Sequence, residues 1–153
     1  MAELDKIDRA ILRLLQQDAK LSIEKIGAAV GLSHTPIWKR INRMETAGII
    51  TGSGYRLNRE ALDLEITAFA SIKLSLHEEK ALLEFEGAVQ HVPEILDCYS
   101  MTGSYDYMLR IVTQSISSYE ALVKKKIAHL PHFQHMNTSL ALREVKQSTG
   151  LPL

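Results

Sequence analysis

Apolar residues recur at helical spacing through the first 48 positions, and the period then changes. Leu4, Ile7, Ile11 and the pair Leu14/Leu15 mark one face of a first helix, with Asp5 placed to cap it and Asp8 in its first turn. Ile23, Ile26 and Val30 mark a second, opened at Ser22 and closed at Gly31, where a left-handed residue is tolerated. Ser33 is positioned to cap a third. Pro36 falls in its first turn, where a missing N–H costs nothing, and Gly48 closes it. Residues 49–57 set Gly52, Gly54 and Tyr55 between hydrophobics, the pattern of a hairpin with a short glycine turn. Residues 58–64 read as a connector.

From Ile66 the pattern alternates. Ile66, Ala68, Ala70, Ile72 and Leu74 share one face of a strand, with Thr67, Phe69, Ser71 and Lys73 on the other. Residues 78–92 return to helical spacing through Leu82, Phe85 and Val89, and Pro93 stops them. Two strands, 95–102 and 107–112, flank Gly103-Ser104. A helix follows at 115–130 and a strand at 136–142. The order β-α-β-β-α-β is the split βαβ arrangement. The expected fold class is therefore α+β: a winged helix-turn-helix at 1–54, a connector at 55–65 and a ferredoxin-like βαββαβ domain at 66–153. In such a sheet both helices cover one face. Phe69, Leu96, Met108 and Ala141 are candidates for apolar area on the other, which a second copy of the chain would bury at about 25 cal/mol per Å² before association costs.

Composition narrows the picture. Of the 153 residues, 46% are apolar and 24% charged, a globular balance. Eighteen basic and eighteen acidic residues give zero net charge, which excludes a globally basic coat. A local basic face remains, because Lys39, Arg40 and Arg43 stand against Glu45 alone between Ser33 and Gly54. One cysteine, Cys98, excludes an internal disulfide framework and a cysteine zinc finger; within a strand pattern it reads as a packing residue. The acidic start of the chain lacks a secretory apolar region, and the apolar run at 66–74 is too short and too broken to span a bilayer, so a cytoplasmic location is expected.

At about 100° per residue, Ile37, Ile41 and Met44 fall on the inner side of the third helix. Thr35, Lys39, Asn42 and Arg43 fall roughly opposite, with Trp38 and Arg40 on the flanks. Long donors, an amide and a hydroxyl suit phosphate oxygens and base edges in a major groove. The short preceding helix and the turn Gly31-Leu32-Ser33 supply helix-turn-helix spacing. A merely solvated face has the same charge pattern, and Trp38 on a flank is expected chiefly to brace the helix. On the DNA-reading interpretation the contact stretch comprises Ser33, His34, Thr35, Pro36, Trp38, Lys39, Arg40, Asn42 and Arg43.

The second-half stretch Met101-Thr102-Gly103-Ser104-Tyr105-Asp106-Tyr107 allows a sharp turn and close backbone approach at Gly103. Asp106 could take an ammonium group, while Thr102 and the loop N–H groups could take a carboxylate, the two charges of a free amino acid. A plain hairpin turn with Tyr105 and Tyr107 packed in the core fits the same residues. His129, His132 and His135 recur around Pro131, which breaks any helix that would cluster them, so surface histidines are expected rather than a metal site. No nucleophile-elbow pattern is present, and no catalytic residue or cofactor is assigned.

Several markers stand in order along nearly the whole chain. They are Leu4-Asp5-x-x-Asp8 before Ile11-Leu12; Val30-Gly31-Leu32-Ser33 leading to Arg40-Ile41-x-Arg43-Met44-Glu45; Gly48-Ile49-Ile50-x-Gly52; the stretch 102–107; and Leu140-Ala141-Leu142. In these the chain resembles the Lrp/AsnC (leucine-responsive and asparagine-responsive) transcriptional regulators. The resemblance implies a DNA-binding regulator of amino-acid metabolism with a RAM (ACT-like) C-terminal domain. It implies homodimers built through the C-terminal sheets and further assembly into octamers; a symmetric dimer in turn matches a palindromic operator. It also implies an amino-acid effector between dimers near Gly103 and Tyr107, with Thr138 on the last strand supplying a hydroxyl. His34-Thr35-Pro36-Ile37-Trp38-Lys39-Arg40 resembles a bacterial subgroup with members that respond to cysteine. Two positions depart from the family: Leu62-Asp63-Leu64-Glu65 lacks the usual connector glycine, and Met136 stands where some members have threonine. The alternative is a sirohaem-decarboxylase-like enzyme, which resembles this family in its two-domain plan.

Overall fold

The computed structural model describes residues 3–148 and 150–153. Met1, Ala2 and Thr149, which the expected domain spans include, lie outside the described residues. The chain divides into two compact units, residues 1–56 with 145–153 and residues 57–144.

The first unit is three helices: α1 (Lys6–Gln17), α2 (Ile23–Val30) and α3 (His34–Thr46). Asp5 caps α1 in a capping box with Asp8, each side chain accepting the other's main-chain N–H. Ser22 caps α2 through the Lys25 N–H, and Gly31 ends it in the left-handed region. Ser33 stands at the start of α3 but makes no side-chain cap bond. Ile11, Ile26, Ile37 and Met44 form the core, as their spacing predicts, together with Leu12, which the spacing does not single out. Gly27 is the close-packing point of the α2–α3 turn, because a Cβ there would land on the Leu32 carbonyl oxygen.

Two expectations differ from the structure here. Residues 49–57 pair into no strand, so the wing is an irregular segment rather than a hairpin. An isolated two-stranded hairpin is marginal in water, and Gly52 and Gly54 bring no side chain to pack. The tail Val145–Leu153, expected with the sheet domain, belongs to the helical unit. Leu153 packs on the helical core, its carbonyl accepts from Arg13 Nε at 2.8 Å, and the Leu151 N–H donates to Gln16 Oε1.

The second unit holds β1 (Ile66–Leu74), α4 (Glu79–Val89), β2 (Ile95–Ser100), β3 (Tyr107–Thr113), α5 (Ile116–Lys125) and β4 (Phe133–Leu140). The antiparallel sheet has the order β2-β3-β1-β4. The single helix expected at 115–130 is α5 followed by a short 3-10 turn at Ile127–His129. Ala68, Ala70, Ile72, Leu74, Leu109 and Ile111 turn inward against Phe85 and Val89 of α4 and Leu122 of α5. Both helices thus cover one face. On the other, Phe69 pairs with Arg110 and Ser71 with Met108, so Phe69 and Met108 share the uncovered side. Leu96 sits in a β2 irregularity and is half exposed; Ala141 follows β4. Asp63, where the resemblance expects glycine, adopts a left-handed φ of 56°, a region that aspartate tolerates better than most residues.

Candidate nucleic-acid interface and effector loop

α3 has Pro36 in its first turn and seats Ile37 and Met44 in the core. That inner anchoring fixes which side chains stand outward. Ser33, His34, Thr35, Lys39 and Arg43 are exposed, while Pro36, Arg40 and Asn42 are partly buried. Trp38 is 49% exposed, so half its surface is open on this helix and bracing uses only the rest.

The arginines are not free cations. Arg40 Nη1 donates to Asp5 Oδ2 at 2.6 Å and to Asp8 Oδ1 at 2.7 Å. Arg43 Nη2 donates to Asp8 Oδ2 at 2.5 Å. Arg40 is the more enclosed, at 26% side-chain exposure against 50% for Arg43. The Asp8 main-chain N–H and the Arg40 guanidinium hold the Asp5 carboxyl below its usual range. In the sequence Asp5 and Asp8 stand as helix-start residues and within the marker Leu4-Asp5-x-x-Asp8. Their second role was legible only as two acids on one helix preceding two arginines three apart on another.

In the sheet unit, residues 101–106 join β2 to β3. Met101, Thr102, Gly103 and Ser104 are exposed, Tyr105 and Asp106 partly so. Gly103 has φ 109°, a conformation that L side chains rarely adopt. The Met101 N–H donates to the Asp106 carbonyl and the Asp106 N–H to the Ile72 carbonyl, both at 2.8 Å. Between these anchors the N–H groups of Thr102, Gly103, Ser104 and Tyr105 have no protein acceptor among the described residues.

The Asp106 carboxylate is already engaged. It accepts the Leu74 N–H at 2.8 Å, Lys73 Nζ at 3.1 Å and His77 Nε2 at 3.1 Å. Desolvation pushes its pKa up, but the Leu74 N–H, Lys73 and the nearby His77 outweigh this and hold it low. Sequence reasoning missed Lys73 and His77, because strand register rather than any motif brings them there. Tyr107 is buried at 2% exposure, packs at a tilt against Phe85 and donates to Glu86 Oε1 at 2.7 Å. Its ring is a core element, as the hairpin reading had it, and does not line the loop surface. Tyr105 lies over His135 of β4, ring centroids 6.2 Å apart. The Thr138 hydroxyl is paired at 2.6 Å with Tyr119 of α5, and none of its hydrogen bonds reaches the loop.

The three histidines do not converge. His132 pairs with Glu84 at 2.7 Å, His135 stacks on Tyr105, and no group of three metal-ligating side chains gathers among the described residues. Burial pushes the Cys98 thiol up to about 11, with Glu86 adding to the effect, which makes it a poor nucleophile. No described helix is long and apolar enough to cross a membrane.

Comparison with known proteins agrees with both halves. Residues 4–45 match the AsnC-type helix-turn-helix domain, and residues 67–151 match the Lrp/AsnC ligand binding domain. The chain is 37% identical to the DNA-binding transcriptional activator DecR of Escherichia coli, over 98% of this chain and 99% of that one. A crystal structure of an AsnC family transcriptional regulator from Agrobacterium tumefaciens superposes with a TM-score of 0.92, at 36% identity and 97% coverage of both chains. A transcriptional regulator from Neisseria meningitidis, solved as a complex with L-Met, also gives 0.92, at 29% identity, covering 98% of this chain and 97% of that one. These relatives are regulators, and nothing in the comparisons favours the decarboxylase-like alternative. The chain belongs to the Lrp/AsnC family and is a DNA-binding transcriptional regulator, not an enzyme.

Proposed function

We propose that this regulator binds a palindromic operator as a homodimer, assembles further toward an octamer in the cytoplasm, and has its DNA affinity tuned by a small free amino acid held at residues 101–106. The observation that carries the effector reading is the run of four unpartnered N–H groups around Gly103. Consecutive unpartnered N–H groups are the donors from which anion-binding concavities are built. The Neisseria relative's complex with L-Met supports the ligand class.

The division of labour within the loop differs from a simple two-charge clamp. Asp106 is committed to Leu74, Lys73 and His77. Its role on this reading is to hold the loop open-side out, with any contact to the ammonium made through the face left by those partners. Thr102 and Ser104 remain exposed and able to bond the ligand. Thr138 contributes only if the Tyr119 bond is exchanged.

On the DNA side, Lys39 supplies a phosphate contact, Arg43 a base or phosphate contact, and Thr35 and Asn42 hydrogen bonds. Arg40 is mainly tied to acids of its own unit.

Thermal unfolding of the full chain against a panel of free amino acids, cysteine and methionine included, tests the effector reading. A ligand at 100 times its Kd adds about 2.7 kcal/mol of stability. A selective rise with one or two amino acids is expected. A flat panel would remove amino acids as the effector class.

A further inference from the structure

Asp8 is the one carboxylate buried in the helical core among the described residues, with its side chain 1% exposed. A charge in that position is costly unless it is paired and hydrogen-bonded. Its two oxygens accept three donors: Arg40 Nη1 at 2.7 Å, Arg43 Nη2 at 2.5 Å and the Asp5 N–H at 3.1 Å. The capping box needs only the last of these. The other two come from α3, 32 and 35 residues along the chain. Arg40 and Arg43 are three apart on that helix and therefore neighbours on its surface. One carboxylate on α1 joins them both.

Two consequences follow for DNA. Arg43 spends Nη2 on Asp8 and is half exposed, and its Nε and Nη1 have no protein acceptor among the described residues. A long, flexible guanidinium is thereby fixed by one edge while another stays available. The second consequence is electrostatic. Asp5 and Asp8 withhold part of the charge of Arg40 and Arg43 from phosphates at large. Fixation favours a correctly placed base edge, whereas charge compensation weakens indiscriminate phosphate binding.

We propose that Asp8 is a positioning residue for operator recognition: it orients Arg43 and restrains Arg40, raising discrimination between operator and random DNA. This rests on the reading that Arg43 contacts DNA.

The test uses the full-length protein, a duplex selected from a randomised library with the wild type, and poly(dI-dC) as the non-specific competitor. Asp8→Asn is expected to weaken binding to the selected duplex by about tenfold. Its affinity for poly(dI-dC) should be unchanged or higher, with a steeper salt dependence from the freed guanidiniums. Loss of affinity by one common factor for both DNAs, or an unchanged ratio, would overturn the proposal. Far-UV circular dichroism and the fluorescence of Trp38, the sole tryptophan, report whether the fold survives. If Asp8→Asn does not fold, Asp5→Asn serves: asparagine is an equally good cap, and the variant removes only the exposed carboxylate on Arg40. A smaller loss of discrimination in the same direction is then expected, and none would overturn the restraint of Arg40; for Arg43, Asp8→Glu keeps the charge while displacing the carboxylate, and an unchanged operator-to-random ratio in that variant would overturn the positioning role. Arg43→Ala separates the two readings. If it leaves affinity for the selected duplex unchanged, the contact assignment itself fails. If it weakens that affinity while Asp8→Asn leaves the ratio intact, only the positioning role fails.

Discussion

Asp106 accepts the main-chain N–H of Leu74 at 2.8 Å, so a side chain at the end of the 101–106 loop closes the end of β1. Lys73 and His77 lie on the same carboxylate. Replacing it with alanine strands the Leu74 donor and frees the loop from β1. Asp106→Ala should cost about 1–3 kcal/mol in urea unfolding, the range for leaving a buried polar group without its partner. Effector-induced stabilisation should vanish while operator binding without effector persists. A normal thermal response of this variant to the effector would place the ligand elsewhere.

The same group gives the sheet unit an acid limit. Desolvation acts against ionisation, but the Leu74 N–H and the Lys73 and His77 charges prevail, so the folded pKa lies below the ordinary 3.8. A carboxyl lowered on folding stabilises the protein above its unfolded pKa, and that contribution is lost as pH falls through the folded one. Stability should therefore decline from about pH 4 downward. Asp106→Asn should show a smaller decline across this range than the wild type in urea midpoints. Parallel profiles would remove Asp106 from the acid transition, leaving Asp5 and the other lowered carboxyls to account for it.

The helices and the order of elements along the chain were legible because burial imposes period on sequence: Ile11, Ile26, Ile37 and Met44 in one unit, Ala68, Ala70, Ile72 and Leu74 in the other. The wing was not, since Gly52 and Gly54 mark a turn whether or not strands flank it. The tail was not, because Leu153 finds its place by packing on residues far away in sequence. On α3, the wheel separates Ile37 and Met44 from Lys39 and Arg43. It cannot show that Arg40 and Arg43 spend donors on Asp5 and Asp8, because those acids approach from another helix. The loop was readable as a peculiar stretch around Gly103. The engagement of Asp106 by Lys73 and His77 depends on strand register and a following turn, and a linear motif does not carry it.

Two glycines should fail differently. Gly103 has open space around it but sits at φ 109°, so Gly103→Ala pays only backbone strain, about 1–3 kcal/mol. Its effect should concentrate on effector response. Gly27→Ala instead drives a methyl group into the Leu32 carbonyl, and main chain must move. Overpacking of this kind costs about 1–3 kcal/mol or more, and it should reduce operator binding through the geometry of the α2–α3 turn. Circular dichroism melts alongside DNA titration distinguish them. Loss of DNA binding in Gly103→Ala without effector would contradict this division.

The tail should behave as part of the helical unit. Leu153 packs on its core, and Arg13 and Gln16 of α1 bond the main chain of Leu153 and Leu151. Deleting residues 151–153 removes one partly buried leucine and these bonds, so a loss of about 1–3 kcal/mol is expected. Hydrogen exchange should localise that loss to α1, with the sheet unit unchanged. Faster exchange in β1 and β3 instead would show that the tail serves the other unit.

The uncovered sheet face gives the last prediction. Phe69 is 39% exposed and Tyr99 58%, and Met108 lies on the same side, beside the Arg110–Asp97 ion pair. An apolar centre with a paired polar border is the make-up of an interface core. If two copies meet through this face, Phe69 lies against its symmetry mate or near it, because a two-fold contact brings the same patch together from both sides. Phe69→Asp then places two like charges in a desolvated contact without touching the core, since Phe69 points away from α4 and α5. Light scattering should report a species near the 17.2 kDa chain mass for this variant, against a multiple of it for the wild type. The variant should bind a single half-site with unchanged affinity but lose its preference for the paired one. Wild-type mass in Phe69→Asp would mean that assembly uses a different surface.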